Sequence, residues 1–323
     1  MKASHGQTRE AASGGAAPGR GTAPRRGTAP GREGRDARSA EIESRWVRVD
    51  DVELYCEIAG EGEPLLLMHG LGSCTADWAP QIERFRHDYR VIAFDLRGHG
   101  RSSKPREGYS IPRFAKDTAA LLDALGTGPV HVAGISLGGM VAFQLAVDAP
   151  ERVKSMTIVN SGPVVPAETF KQRIPLYVRL LYLHTLGLRR MAKKIAKGLF
   201  PKPEQADLRS QFIERLAAND KRCYLASLRA IFAGWGVAEH LGDIRCPVLF
   251  LAADQDYTPV ALKQRFVDRM PDARMVVIPD SRHALPLEKP DEFNRALADF
   301  LALLRARGNG AAFDARHSVG EKL

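Results

Sequence analysis

The chain has 323 residues, of which 44% are hydrophobic, so it can form one large α/β domain or two smaller ones with a sizeable core. Its net charge is +9, but residues 1–38 hold eight Lys and Arg against three Asp and Glu, and so supply +5 of that charge. The rest is only mildly basic, which argues against a nucleic-acid partner. No apolar run approaches the length of a membrane span, and the N-terminus has no apolar leader segment. We therefore expect a cytoplasmic protein without stable membrane insertion.

The four cysteines, Cys56, Cys74, Cys223 and Cys246, are scattered along the chain. Their spacing fits neither a disulfide framework nor a metal site, which favours buried or unreactive thiols. The sequence also has no dinucleotide-binding fingerprint. We expect no metal and no other cofactor.

Residues 1–40 consist mostly of Gly, Ala, Arg, Pro and Ser, and the run Arg20–Pro24 recurs as Arg26–Pro30. Such a segment buries too little apolar surface to offset the entropy lost on ordering. We predict a disordered basic tail. A dispensable extension, a basic arm for anionic surfaces, a targeting segment and an overlong gene start all remain open.

The elements predicted up to residue 125 alternate between strands and helices. Two strands over residues 47–49 and 52–58 form a hairpin that turns at Asp50-Asp51. Two wholly apolar strands lie over residues 65–68 and 91–94, and two helices lie over residues 76–86 and 114–125.

The stretch from Val130 to Gly139 organises the chain. A β-prone run reaches Ser136, which stands between Gly134 and Gly138, and a helical segment follows from Met140 to Asp148. Small residues on both sides let the backbone turn sharply and hold a non-glycine residue in a strained conformation. The pattern predicts that the Ser136 hydroxyl is exposed above a sheet edge, beside a helix N-terminus.

After a further strand over 153–159, residues 163–242 contain helical stretches and no clear strand. Leu176–Leu188 is strongly apolar, and Gln211–Phe232 has helical spacing. We predict that this segment is a helical cap over the active end of the sheet.

The strand pattern returns over 247–252 and 274–279, and a closing helix with one apolar stripe follows over 292–305. The predicted organisation is an α/β core of residues 41–162 and 243–306, the cap of residues 163–242, and a frayed C-terminal tail of residues 307–323.

Strands that are apolar throughout and alternate with helices indicate a mostly parallel central sheet with helices on both faces. Ligands bind beyond the carboxyl ends of such strands. His69, Asp95 and Ser136 each follow a predicted strand.

A serine hydroxyl needs a base to become a nucleophile, and the base needs a group that orients it. Asp256 and His283 follow the last two predicted strands, in the order Ser, Asp, His that is typical of a nucleophile-elbow hydrolase. Asp254 competes with Asp256 for the orienting role, because either can reach, and we favour Asp256. For the oxyanion, the sequence offers the backbone N–H groups of Leu137 and, in the loop from His69 to Gly72, Leu71.

Taken in this order, these pieces resemble the α/β-hydrolase superfamily over residues 45–305, in its capped, single-domain form. The resemblance implies that Ser136 is the nucleophile, Asp256 the orienting acid and His283 the base. A serine at the nucleophile position disfavours haloalkane dehalogenase and epoxide hydrolase chemistry, because those relatives carry aspartate there. The run from His69 to Ser103 is also similar to 3-oxoadipate enol-lactonases and small carboxylesterases.

The resemblance implies hydrolysis of a carboxylic ester, lactone or thioester through an acyl-enzyme. C–C bond hydrolysis, perhydrolysis and acyl transfer on the same scaffold remain alternatives, as does a non-catalytic ligand-binding role. We expect a small-molecule substrate with an apolar group, in a pocket formed by His69, Gly70, Tyr177 and Leu181. Packing of the apolar cap residues on the main domain is the competing interpretation, and the sequence leaves the oligomeric state open.

Overall fold

In the computed structural model, which describes residues 41–165 and 169–308, eight strands form one sheet in the order β1-β2-β4-β3-β5-β6-β7-β8. The strands are β1 Glu43–Val49, β2 Val52–Ala59, β3 Pro64–Met68, β4 Arg90–Phe94, β5 Val130–Ile135, β6 Val153–Val159, β7 Val248–Ala253 and β8 Ala273–Ile278. β2 runs antiparallel to its neighbours β1 and β4, and all other neighbouring pairs are parallel. The predicted mostly parallel sheet is confirmed.

The α-helices connect these strands. They are α1 Ala79–Phe85, α2 Ile111–Ala124, α3 Leu137–Asp148, α4 Phe170–Thr185, α5 Gly187–Leu199, α6 Ala206–Ala217, α7 Lys221–Ile231, α8 Val260–Val267, α9 Leu285–Glu288 and α10 Pro290–Gly308. Short 3-10 turns lie at Thr75–Trp78, Pro150–Arg152, Pro203–Gln205 and Ala238–Asp243.

The parallel strands inside the sheet, β3 to β7, are largely buried on both faces, which explains why they are apolar without alternation, whereas the edge strand β8 is exposed at Val276 and Val277. In β3, Leu66 and Met68 pack in the core cluster that contains α2, α3 and α8, whereas Leu65 and Leu67 pack in the cluster that contains α1 and α10. The sheet therefore lies between two layers of helices, as predicted. The carboxyl ends of β3 to β8 meet along one edge of it.

Some predicted boundaries differ from the structure. The helix predicted over Gln211–Phe232 is two helices, α6 and α7, because local side chains satisfy the backbone groups at the break. Asn219 donates to the carbonyl oxygens of Arg215 and Leu216 at the end of α6, and the Asp220 carboxylate accepts from the Cys223 N–H at the start of α7.

Two other helices begin earlier than predicted. The helix after Ser136 begins at Leu137 instead of Met140. α2 begins at Ile111, where the Ser110 hydroxyl accepts from the Arg113 N–H at 3.2 Å.

Helices α4 to α7 form an insertion between β6 and β7, which we call the helical insertion. Its stem is closed by an antiparallel bridge between Val164 and Gly236, and the Val237 N–H donates to the Pro163 carbonyl at 2.8 Å. Leu183, Met191, Leu216 and Leu228 form its own small apolar core. None of the helices described is long and apolar enough to cross a membrane. The predicted tails, 1–40 and nearly all of 307–323, lie outside the described residues.

Candidate active site

Ser136 occupies the turn between β5 and α3 with φ 54° and ψ −115°, a conformation that non-glycine residues rarely adopt. A side chain at Gly134 would collide with the backbone of Gly138, and one at Gly138 would collide with the carbonyl oxygen of Met68. Glycine is therefore required at both positions for the chain to turn this tightly. Strain of this kind persists only where the surrounding structure fixes it.

Three hydrogen bonds fix the Ser136 backbone. Its N–H donates to the Val159 carbonyl at 3.0 Å, and its carbonyl accepts from the Met140 N–H at 3.1 Å and from the Ser161 hydroxyl at 2.7 Å. The backbone is thus tied to β6 and to the first turn of α3. The side-chain hydroxyl takes no part in these bonds.

His283 and Asp256 form a hydrogen-bonded pair at the same edge of the sheet. Asp256 follows β7 and His283 follows β8, and His283 Nδ1 lies 2.6 Å from Asp256 Oδ1. Of the two carboxylates that the sequence left open, Asp256 is the one bonded to the histidine. Asp254 instead accepts the backbone N–H groups of Asp280 and Ser281, each at 3.0 Å, and so shapes the loop that carries His283.

A lysine that sequence reasoning missed completes the surroundings of Asp256. Lys263, on α8, is only 1% exposed, and its Nζ lies 2.6 Å from Asp256 Oδ2. The Thr258 hydroxyl donates to the same oxygen at 2.7 Å. Burial acts to raise the pKa of Asp256, but the hydrogen bonds and charges of His283 and Lys263 outweigh it and hold that pKa below its usual range.

Asn160 joins three loops at this edge. It follows β6 with φ 45° and is buried. Its side-chain oxygen accepts from the Ala253 N–H at 2.9 Å, and its side-chain nitrogen donates to the carbonyl oxygens of Arg282 and His283, each at 3.1 Å. Sequence reasoning missed Asn160, and the only available signal was a polar residue directly after a buried strand.

The loop after β3 places a backbone peptide against Ser136. A Cβ at Gly70 would lie 3.4 Å from the Ser136 Cβ. His69 is fully buried, and its Nε2 accepts from the Leu96 N–H at 3.0 Å, so Nδ1 carries the proton and donates to the Gly70 carbonyl at 2.8 Å. Burial lowers the pKa of His69 to about 4, which keeps the ring neutral at pH 7.

This contact orients the peptide between Gly70 and Leu71. Because a trans peptide points its C=O and N–H in opposite directions, the Leu71 N–H is directed away from the His69 ring. Leu137 is the first residue of α3, so its N–H has no partner within the helix. Both predicted oxyanion donors thus belong to the backbone immediately around Ser136.

Two cavities open on either side of Ser136, with volumes of about 100 Å³ (cavity A) and about 210 Å³ (cavity B). The residues that line both are Leu71, Ser136, Arg179, Tyr257 and His283. Cavity A is closed mainly by His69, Gly70, Trp78, Ile195, Leu199 and Phe212. Cavity B is closed mainly by Met140, Val164, Val165, Leu228, Phe232 and Phe266. Ser136 and His283 thus face a forked, mostly apolar space.

Four residues were predicted to form the substrate pocket, and the structure places only two of them there. His69 and Gly70 line cavity A. Tyr177 and Leu181 line neither cavity and are 45% and 61% exposed. The reason is the rotation of α4 about its axis, which turns Arg179 toward the cavities and places Tyr177 and Leu181 on another face of the helix.

Among residues 41–165 and 169–308, no group of three or more His, Cys, Asp or Glu side chains is arranged to hold a metal ion. The same residues contain all four cysteines, each as a free thiol.

Comparison with known proteins gives consistent results. The model of the Alpha/beta hydrolase family matches residues 65–296. A putative carbamate hydrolase RutD from Azorhizobium caulinodans is 36% identical over 263 residues, which cover 77% of this chain and 95% of the relative.

Two solved structures have similar folds. Est816, described as an N-acyl homoserine lactone degrading enzyme, is 31% identical with a TM-score of 0.71, over 79% of this chain and all of that one. The enol-lactonase from Burkholderia xenovorans LB400 has a TM-score of 0.74 at 24% identity, over 80% of this chain and 100% of that chain. At that identity, the enol-lactonase supports the fold alone.

Proposed function

The chain belongs to the alpha/beta hydrolase family, and we propose that it is a serine hydrolase that cleaves a carboxylic ester, lactone or thioester through an acyl-enzyme. The observation that carries this proposal is the 2.6 Å bond between His283 and Asp256, with His283 lining the same two cavities as Ser136. In this proposal the helical insertion is a cap over the site. The cytoplasmic location expected from the sequence stays a prediction.

In the first step, His283 removes the proton from the Ser136 hydroxyl as the serine oxygen attacks the substrate carbonyl carbon. Asp256 accepts a hydrogen bond from His283 Nδ1, which leaves Nε2 free to act as the base. The carboxylate also stabilises the imidazolium ion that forms. Because the pKa of Asp256 is held below its usual range, the carboxylate is ionised at pH 7.

The tetrahedral intermediate carries a negative oxygen, which the N–H groups of Leu71 and Leu137 stabilise. One such donor contributes about 3 kcal/mol to transition-state stabilisation in serine hydrolases. Their positions depend on His69 and on the start of α3, respectively.

Collapse of the intermediate expels the alcohol or thiol, which takes the proton from His283, and leaves the acyl group on Ser136. A water molecule, activated by His283, then attacks the acyl-enzyme and regenerates the serine. The two cavities suit this sequence, since one can hold the acyl group and the other the leaving group.

A carbamate is a second candidate substrate, and the 36% identity to a putative carbamate hydrolase favours it. The same residues serve, except that His283 must then protonate an amine as it leaves.

The test is turnover of p-nitrophenyl esters from acetyl to dodecanoyl, with the variant Ser136→Ala as control. We expect the wild-type protein to hydrolyse some of them and the variant to be slower by about 10³-fold or more. Equal rates for both proteins would contradict the proposal. If the protein is inert toward every ester but a fluorophosphonate labels Ser136, the assignment of Ser136 as the nucleophile stands. Carbamates are then the next substrates to test.

A further inference from the structure

Arg179 is the one arginine that lines both cavities among the described residues. It projects from α4 of the helical insertion, and its guanidinium carbon lies 5.5 Å from the centre of the Tyr224 ring. Ser136 and His283 line the same shared wall. A permanent positive charge therefore faces the space where the substrate would react.

The carboxylates that line the cavities are already paired with other cations. Asp77, in cavity A, lies 2.6 Å from Arg215 Nε and also accepts a hydrogen bond from the Ser73 hydroxyl. Asp256, in cavity B, lies between Lys263 and His283. Neither acid is a salt-bridge partner of Arg179 in the described part of the chain.

Among the described residues, the Arg179 guanidinium has no such partner. It forms no salt bridge with any described residue, and its Nε is buried without a hydrogen-bond acceptor. Its neighbours are the aromatic ring of Tyr224 and the walls of the cavities. Burying a donor of a charged group without an acceptor is unfavourable, so the arrangement favours an anionic ligand that supplies one.

We propose that Arg179 binds a carboxylate of the substrate, so that the preferred substrate is an acyl compound with a second, ionised carboxyl group. This inference rests on the proposed hydrolase function and specifies its substrate class. A planar guanidinium pairs with a carboxylate through two parallel hydrogen bonds. A single cation that has no salt-bridge partner among the described residues and lies among mostly apolar walls matches one negative charge, which favours a carboxylate over a doubly charged phosphate.

The test compares substrates that differ only in this charge. They are the mono-p-nitrophenyl esters of glutaric, adipic and suberic acids, each measured beside the mixed p-nitrophenyl diester in which its free carboxyl group is a methyl ester (the methyl diester), after subtraction of hydrolysis in buffer. For the best chain length, we expect kcat/KM of the wild-type protein to be at least about 10-fold higher for the free acid than for the methyl diester.

Three variants locate the effect. In Arg179→Met, kcat/KM for the free acid should fall by about 10- to 100-fold more than kcat/KM for the methyl diester. Arg179→Lys should keep part of the preference, because it retains the charge but not the two parallel bonds. Arg190→Met removes an exposed arginine of the same insertion, and it should change neither value.

The outcomes separate the two proposals. A wild-type protein that hydrolyses the methyl diesters at least as well as the free acids overturns the assignment of Arg179 and leaves the hydrolase function intact. An equal loss on both substrates in Arg179→Met, in a variant with a normal melting temperature, overturns it as well. If neither substrate is hydrolysed and a fluorophosphonate does not label Ser136, the proposed function itself fails.

Discussion

The carboxyl edge of the sheet and the helical insertion line the same cavities, but they are held in different ways. At the sheet edge, each proposed catalytic side chain follows a strand of the sheet, and hydrogen bonds fix the backbone beside it, as Asn160 does for His283. In the insertion, α4 leaves Ile174, Val178 and Leu181 exposed and turns Arg179 into the cavities.

In the proposed function, this difference separates the residues that react from the residues that select the substrate. Reacting groups must be held within a fraction of an ångström, which the strand ends and their polar network achieve. The insertion supplies cavity walls, whose size and charge can change without disturbing Ser136. We therefore expect substitutions at the sheet edge to reduce turnover of all substrates, and substitutions in the insertion to alter the ranking of substrates.

The sharpest test of the sheet edge uses its two neighbouring carboxylates. Asp256→Asn removes the charge that stabilises the His283 imidazolium ion and favours the wrong tautomer, so kcat should fall by about 10⁴-fold. Asp254→Asn, the matched control, replaces one of the two oxygens that accept the Asp280 and Ser281 N–H groups by an amide nitrogen, and it should cost less than about 100-fold because His283 keeps its Asp256 partner. Steady-state ester hydrolysis measures both. A larger loss of kcat in Asp254→Asn than in Asp256→Asn would assign the role of the orienting acid to Asp254.

Lys263→Met tests whether the buried pair also stabilises the fold. A carboxylate with a lowered pKa stabilises the folded protein above its unfolded pKa of about 4, and this stability is lost as the pH falls toward the folded value. Without Lys263 the pKa of Asp256 rises, because two of the causes that lower it are absent. The variant should therefore be about 3 kcal/mol less stable at pH 7, and the gap should narrow as the pH falls toward 3.

Urea unfolding at several pH values measures this difference in the free energy of unfolding between Lys263→Met and the wild-type protein. Arg265→Met, which removes an exposed arginine from the same helix, serves as the control and should be close to wild type at every pH. A difference between Lys263→Met and wild type that is independent of pH would show that packing, and not the ion pair, accounts for the loss.

The smallest effects are expected in the insertion. Phe212 lines cavity A, so Phe212→Ala should shift the best p-nitrophenyl ester to a longer chain, with a change of about 10-fold in the ratio of kcat/KM values. Leu181→Ser, on the exposed face of α4, should leave this ratio unchanged. The chain-length series of both variants provides the comparison. A shift of chain preference in Leu181→Ser alone would place the pocket where the sequence first suggested.

These two regions also differ in how far the sequence predicts them. The strands could be predicted because residues such as Leu65–Met68 form apolar runs that end in polar residues, and the topology brings those ends together. The order Ser136, Asp256, His283 followed from that. The sequence favoured Asp256 but left Asp254 as a competitor, because residues two apart both lie within reach of the loop after β8.

Other features could not be predicted because they depend on tertiary contacts. Lys263 belongs to a residue type that is usually exposed, and only its packing against Asp256 shows the buried pair. In α4, apolar residues occur on more than one face, so the sequence could not fix its rotation. As a result, Arg179 was not predicted in the cavities, and Tyr177 and Leu181 were placed there instead.

The central claim is that Ser136 forms a covalent acyl intermediate, and mass spectrometry of the protein quenched in acid during turnover of a p-nitrophenyl ester tests it most directly. We predict a mass increase of one acyl group, located by peptide mapping on the peptide that contains Ser136, and no increase in Ser136→Ala. An acyl group found on another residue would contradict the account. So would full turnover by Ser136→Ala.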